Sequence, residues 1–153
     1  AHKKYTNHLR LDTVAVTPRQ RNAIYGTVGL FALLEGAAAN ISYERHIISL
    51  GKFKRTAIAL RAAYGGFASI GGSGTTIILV PNFIFGRKRS HFEFGVGPLL
   101  LIDGFNGSRA FIPSINAGYR YQNPEGPFLF RTGFGTEGIY LSLGSAFFKR
   151  KKK

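Results

Sequence analysis

The sequence predicts an all-β chain: an eight-stranded antiparallel up-and-down transmembrane β-barrel. The first observation behind this is where charge is missing. Of the 21 Lys and Arg, sixteen lie in two tails and two turns: five before residue 22, five after residue 148, three at Lys52, Lys54 and Arg55, and three at Arg87, Lys88 and Arg89. No Lys falls inside a long apolar-alternating segment. A sheet with one face in water carries polar side chains on that face. Here one alternate set of positions is aliphatic and aromatic, and the other is Gly, Ala, Ser and Asn with a few isolated Arg and Glu. That is the pattern of lipid outside and a small polar lumen inside. The second observation is segment length. Most apolar segments exceed the ~5–6 residues of an ordinary strand and suit the ~9–11 residues that a tilted strand needs to cross a bilayer. The third is that every connector is too short for a crossover helix, so successive strands must pair antiparallel.

Residues 1–21 are polar and basic, contain Pro18, and read as a tail. Eight strands follow, over residues 22–34, 37–49, 55–68, 74–86, 90–102, 109–122, 126–136 and 138–148. Residues 149–153 form a second basic tail, leaving 22–148 as the barrel. Because side chains alternate with a period of two, the later strands assign their own faces. In the fifth, Phe92, Phe94, Val96, Pro98, Leu100 and Ile102 oppose Glu93, Gly95 and Gly97. In the sixth, Phe111, Pro113, Ile115, Ala117, Tyr119 and Tyr121 oppose Ser114, Asn116, Gly118, Arg120 and Gln122. In the seventh, Phe128, Phe130 and Phe134 oppose Arg131 and Gly133; in the eighth, Ile139, Leu141, Leu143 and Phe147 oppose Tyr140, Ser142 and Gly144. The first strand has Gly on both faces and the fourth is apolar on both, so periodicity leaves their phase open. Pro81, Pro98 and Pro113 fall inside strands, where each removes a ladder hydrogen bond unless it sits at a bulge. Glu35-Gly36, Gly51-Lys52, Asn106-Gly107 and Glu125-Gly126 supply turn chemistry.

An even-stranded meander puts both termini on one side, with the connectors at 50–54, 86–90 and 122–126. Two of those three are basic, and both basic tails join them. The opposite connectors hold Glu35, Asp103, Arg109 and Glu137 and are near neutral. The chain should therefore have one strongly positive rim. That rim fits plain solubility and edge protection, contact with anionic headgroups, or an acidic periplasmic partner.

Composition narrows the class further. No run of 18 or more apolar residues is present, so a transmembrane helix is not expected. Gly is abundant at 20, beside 14 Phe and 7 Tyr, and close packing in a narrow barrel gives such glycines a reason. The absence of Cys removes disulfides and thiolate metal sites. The net charge of +14 invites a nucleic-acid reading, but the basic residues crowd the tails and alternate turns instead of one recognition element, so no nucleic-acid partner is expected. No secretory leader is visible, and an exported chain is expected to be read here in mature form from Ala1.

The runs GRKRSHFEFGVGP, NAGYRYQNPEGPFLFRTGFG and IYLSLGSAFF resemble small eight-stranded outer-membrane barrels of the OmpA and OmpX kind, and outer-membrane barrels of unassigned role common in the Bacteroidota. The resemblance covers roughly residues 22–148. YLSLGSAFF is similar to the C-terminal signal by which such proteins are recognised for insertion, although here a basic extension follows it. The resemblance implies a bacterial outer-membrane location with periplasmic termini. It also implies outer-membrane phospholipid and lipopolysaccharide as neighbours, with other outer-membrane or periplasmic proteins as possible partners in a complex.

Candidate site residues follow from the faces. The lumen set is Asn40, Ser42, Glu44, His46, Arg61, Asn82, Glu93, Asn116, Arg120 and Arg131. Its charged members, Glu44, Arg61, Glu93, Arg120 and Arg131, are expected to neutralise one another as a plug, because an unpaired charge in a narrow interior is expensive. Glu93 and Arg120, on adjacent strands, are the expected direct pair. A continuous ion pathway is the sharper alternative, and an eight-stranded barrel is just wide enough for side chains to fill. Ser42, Glu44 and His46 alternate on one face, as in some lipid hydrolases, but a lipid-acting site should face lipid and these face the lumen. Phe92, Phe94, Phe111, Phe128, Phe130, Leu141 and Leu143 are expected to face lipid. The inverse arrangement is a soluble lipocalin-like barrel with those aromatics around an apolar ligand, and it would leave an outer surface with almost no charge. His2 and His8 have no partner at metal spacing, and GGSG at 71–74 lacks the Lys and helix of a phosphate loop. No cofactor, metal or catalytic residue is expected. The favoured reading is a structural or scaffold barrel, or an accessory subunit of an envelope complex, with loops too short for an obvious receptor or adhesin.

Overall fold

The computed structural model describes residues 22–31, 36–50 and 56–147, with only the backbone of Phe31 and Arg87 described. Eight strands form one closed antiparallel barrel in sequence order: β1 Asn22–Phe31, β2 Gly36–Leu50, β3 Thr56–Ser69, β4 Gly72–Arg87, β5 Ser90–Asp103, β6 Arg109–Gln122, β7 Phe128–Gly135 and β8 Gly138–Phe147. Closure is made by β1 pairing with β8, with Tyr25 opposite Gly144. It leaves no free sheet edge along the wall. The expected ends of β1 at residues 32–34 and of β8 at 148, both tails, and the turn residues Lys52, Lys54 and Arg55 lie outside the described residues.

The turns are tight for physical reasons that can be named. Lys88 and Arg89 form a two-residue connection between Arg87 and Ser90, with Lys88 held at a φ of 60°. Thr136 and Glu137 connect the paired Gly135 and Gly138 in the same way, with Gly138 at a φ of 78°. In the longer β5–β6 turn the Asp103 carboxylate accepts from the Phe105 and Asn106 amides, at 2.7 and 3.0 Å. Gly107 takes the left-handed conformation there, at a φ of 67°, which a side chain would resist.

The two open phases are settled by burial. In β1, Ala23, Tyr25 and Thr27 point inward and Ile24, Val28 and Leu30 outward. In β4, Thr76, Ile78, Val80, Asn82 and Ile84 point inward. The interior is therefore mixed: Ala63, Ile78, Val80 and Leu99 make one apolar cluster, and Ala23, Tyr25, Leu129 and Ala146 another. Two glycines open space for a ring. Gly118 and Gly133 face each other across β6 and β7, and a Cβ on either would stand within 3 Å of the Tyr140 hydroxyl.

The irregularities fall where the strand chemistry puts them. The register shift in β2 lies between His46 and Ile48, on the β3 side, and not at a proline. The prolines instead interrupt the ladder: β4 and β5 pair at Ile78 with Leu99 and again at Asn82 with Gly95, without pairing between, where Pro81 and Pro98 lie. Pro113 stands directly opposite Pro98 on β6. The wall is also uneven in height. The β6–β7 ladder begins at Asn116, and Thr136 in the β7–β8 turn still bonds Ile115 and Pro113, so Arg109 through Ile112 pair with β5 alone. The β5–β6 hairpin thus stands above the wall, and Phe111 is 78% exposed upon it.

Candidate functional site

Among the described residues six charged side chains meet inside the barrel, three guanidiniums and three carboxylates, so their formal charges sum to zero. Arg61, Arg120, Arg131, Glu44, Glu93 and Glu137 are all at or below 5% exposure. They sort into two clusters. In the first, Arg120 on β6 crosses the lumen to Glu44 on β2, at 2.5 Å, and lies 3.7 Å from Glu93 on the adjacent β5. Arg131 on β7 is ion-paired with Glu93, its Nε donating to Oε1 at 2.7 Å. Glu44 also accepts from the Tyr25 hydroxyl at 3.2 Å and from Asn82 at 3.1 Å. Glu93 accepts from the Tyr140 hydroxyl at 3.1 Å.

In the second cluster, Arg61 on β3 forks onto Glu137 in the β7–β8 turn, with NH1 and NH2 donating to separate carboxylate oxygens at 3.2 and 3.0 Å. This is the two-pronged geometry that gives Arg–carboxylate pairs their strength. Asn40 donates to the same carboxylate, and Arg61 also reaches Ser42 at 3.1 Å and Asn40 at 3.2 Å. Tyr25 joins the clusters: its ring centroid lies 4.5 Å from the guanidinium carbon of Arg131 and 5.8 Å from that of Arg61. Tyr140 stands on another side of Arg131, at 5.7 Å. Such contacts favour the cation electrostatically, and more so where water is excluded.

Two details go beyond expectation. Glu93 and Arg120 pair at 3.7 Å, and each also has a tighter partner on a farther strand, Arg131 on β7 for Glu93 and Glu44 on β2 for Arg120. Neighbouring strands place two side chains side by side, but a narrow interior lets long ones reach farther strands. Glu137, expected on the near-neutral rim, folds inward from its turn and is the counter-charge of Arg61. Its sequence signal was faint: three interior arginines against two strand glutamates left one positive charge unbalanced.

The Ser42, Glu44 and His46 trio is drawn into other contacts. Ser42 donates to Asn40 at 3.1 Å, His46 meets Ser49 at 3.1 Å, and Glu44 serves Arg120, Tyr25 and Asn82. Among the described residues, no group of three or more His, Cys, Asp or Glu has the arrangement of a metal site. The outward face carries the expected apolar residues. Phe92, Phe94, Phe111, Phe128, Leu141 and Leu143 are exposed there, and Phe130 is half-buried. This orientation is the reverse of the one that a soluble barrel lined by those aromatics requires. Of the basic rim, Lys88 and Arg89 are exposed at the end where β1 begins and β8 ends; the Arg87 side chain lies outside what is described.

No family model matches the chain, and no curated protein matches it. Among solved structures, it is similar to the N-terminal β-barrel domain of Pseudomonas aeruginosa OprF, with a TM-score of 0.56 and 17% identity over 84% of this chain and 98% of that one. At that identity the likeness is one of fold: both are small closed barrels.

Proposed function

We propose that this chain is an integral barrel of a bacterial outer membrane, with its lumen closed by the ion-pair network and both termini in the periplasm. One observation carries the reading: six charged strand and turn side chains are inside and paired, while the outward wall is dominated by Ile, Leu, Val, Phe and Tyr. A wall of that kind in water would be a very large apolar patch, whereas in hydrocarbon it is the expected surface of a barrel. Strands of 8 to 16 residues bracket the ~9–11 needed for a tilted crossing. The likeness to the OprF barrel domain agrees with it. The β5–β6 hairpin agrees too. Its edge away from β5, along Arg109 through Ile112, lies beyond the β6–β7 ladder and beyond the Thr136 contacts to Pro113 and Ile115, and backbone there has to meet water or protein, since hydrocarbon offers it no hydrogen bonds.

The role that follows is non-enzymatic: a structural or scaffold barrel, or an accessory subunit of an envelope complex. Phospholipid and lipopolysaccharide are its immediate surroundings. The basic termini-side rim, Lys52, Lys54, Arg55, Arg87, Lys88 and Arg89, would sit against the inner headgroups or an acidic partner. Two measurements test this reading. The folded chain should need detergent or lipid to stay monodisperse, and the purified protein should give no steady conductance in planar bilayers. A monodisperse folded chain in plain buffer would refute the membrane span. A steady pore would refute the plug.

A further inference from the structure

Five arginines lie outside the tails and the two basic turns: Arg45, Arg61, Arg109, Arg120 and Arg131. Three point inward and are paired. Arg109 opens β6 on the raised hairpin. Arg45 is different: it is exposed on the outward face of β2, level in register with Asn22 at the start of β1 and Leu60 on β3. Among the described residues no carboxylate pairs with it. A lone guanidinium on an apolar wall calls for an anion.

Two residues from Arg45 along β2, at Tyr43, the wall is hollowed. A shallow groove of about 550 Å³, within the ~300–1,000 Å³ range of ligand pockets, runs over β1 to β4. Its floor is Ala62, which stands in register between Tyr43 and Leu79 and presents only a methyl group. Ile41, Tyr64 and Ile77 form the next row along. Tyr43 also lines the groove and precedes Arg45 by two residues on the same face, a step of ~6.8 Å along the strand. The Tyr43 hydroxyl is anchored on Asn22 at 2.7 Å. Arg45 therefore lies one same-face step beyond the groove on its termini side, and the groove itself crosses the four strands.

We propose that this groove is a site for one anionic phospholipid, with the phosphodiester on Arg45 and an acyl chain lying over Ala62 between Tyr43, Tyr64 and Leu79. The charge fixes the headgroup class and the missing side chain at Ala62 makes room for the chain. The inference rests on the membrane-spanning reading above.

The test uses the full chain, folded in a neutral detergent and examined by native mass spectrometry while phosphatidylglycerol or phosphatidylcholine is added. One phosphatidylglycerol per chain should be retained at concentrations at least tenfold below those needed for phosphatidylcholine. Arg45→Gln and Ala62→Phe should each weaken that retention at least tenfold, and Arg109→Gln should not. Ala62→Phe leaves every basic residue in place, so its loss separates the groove from general attraction to the tails. Equal retention of the two lipids, or wild-type retention in either Arg45→Gln or Ala62→Phe, would overturn the proposal. Far-UV circular dichroism checks that each variant is folded. A control in neutral vesicles separates the two readings. A chain that inserts into phosphatidylcholine vesicles but shows no lipid preference loses only the lipid site, whereas one that stays folded in the supernatant loses the membrane span as well.

Discussion

Replacing Glu93 by Gln is the sharpest probe of the interior, because it removes one charge and almost no volume. Glu93 is fully buried and is the ion-pair partner of Arg131, which is itself fully buried. Gln keeps an oxygen that can still accept from Tyr140, so the loss falls on the charge. Removing one partner of a buried pair costs about 3–5 kcal/mol, since the other is left uncompensated. A neutral interior hydrogen bond gives the comparison. Thr27 and Ser142 share one of 2.8 Å, and Thr27→Val should cost about 1 kcal/mol. The double change Glu93→Gln/Arg131→Gln returns the interior to formal neutrality and should recover at least half of the single loss. It should recover more than Glu93→Gln/Arg120→Gln, because Arg131 is the close partner and Arg120 stands 3.7 Å away. The measurement is urea unfolding of the barrel in lipid vesicles, followed by far-UV circular dichroism; the chain has no Trp for fluorescence. A Glu93→Gln loss below about 1 kcal/mol, or a double variant no more stable than the single one, would refute the view that the network is held by mutual neutralisation.

Three further outcomes are expected. Phe94→Arg and Leu141→Arg, both outward, should each cost about 2–4 kcal/mol near the bilayer midplane, measured by the same unfolding assay. Gly95→Ala should cost about 1–3 kcal/mol by overpacking, because its Cβ would run into the Asn82 side-chain Oδ1 and stand 2.5 Å from the Asn116 side-chain Oδ1 and 2.7 Å from Val80; Gly26→Ala, whose Cβ meets nothing within 4 Å, should be near neutral. On intact cells, an impermeant thiol reagent should label Asn106→Cys, while a tag after residue 153 should stay inaccessible until the outer membrane is opened.

The wall was legible in the sequence because its signal is local. Phe92, Phe94 and Val96 alternate with Glu93, Gly95 and Gly97, and a period of two is a statement about faces whichever strands pair. The closed order followed from short connectors. What resisted reading was set by the third dimension. Ile78, Val80 and Ile84 look like lipid-facing residues, yet they point inward, because part of a narrow lumen is packed with aliphatic side chains and the period alone cannot say which apolar face is which. Glu137 read as a loop residue because nothing local says that a turn side chain will fold back into the barrel. The tighter partner of Glu93 escaped reading for the same reason: its pair with Arg120 on the adjacent strand is written in the strand order, but the reach of Arg131 from β7 depends on the length of Arg.

Among the described residues every interior cation is Arg, and the one Lys, Lys88, lies in the β4–β5 turn. The segregation has a physical basis. Lysine is a compact, strongly hydrated charge and loses most when water is removed, whereas the guanidinium is planar, more weakly hydrated and offers five donors in a fixed fork. Arg61 uses that fork on Glu137 while also reaching Ser42 and Asn40. Arg131 is flanked by Tyr25 and Tyr140 while it holds Glu93. An ammonium, with three donors, has no plane to lay against Tyr25 and no two-pronged match to Glu137. The same argument accounts for the exterior. Lys88 stands exposed in its turn, and the charges on the described outward faces of the strands are again Arg. Arg45 keeps a weakly hydrated, phosphate-matching head against an apolar wall, and a bound lipid phosphate would give it the partner that the sheet does not supply.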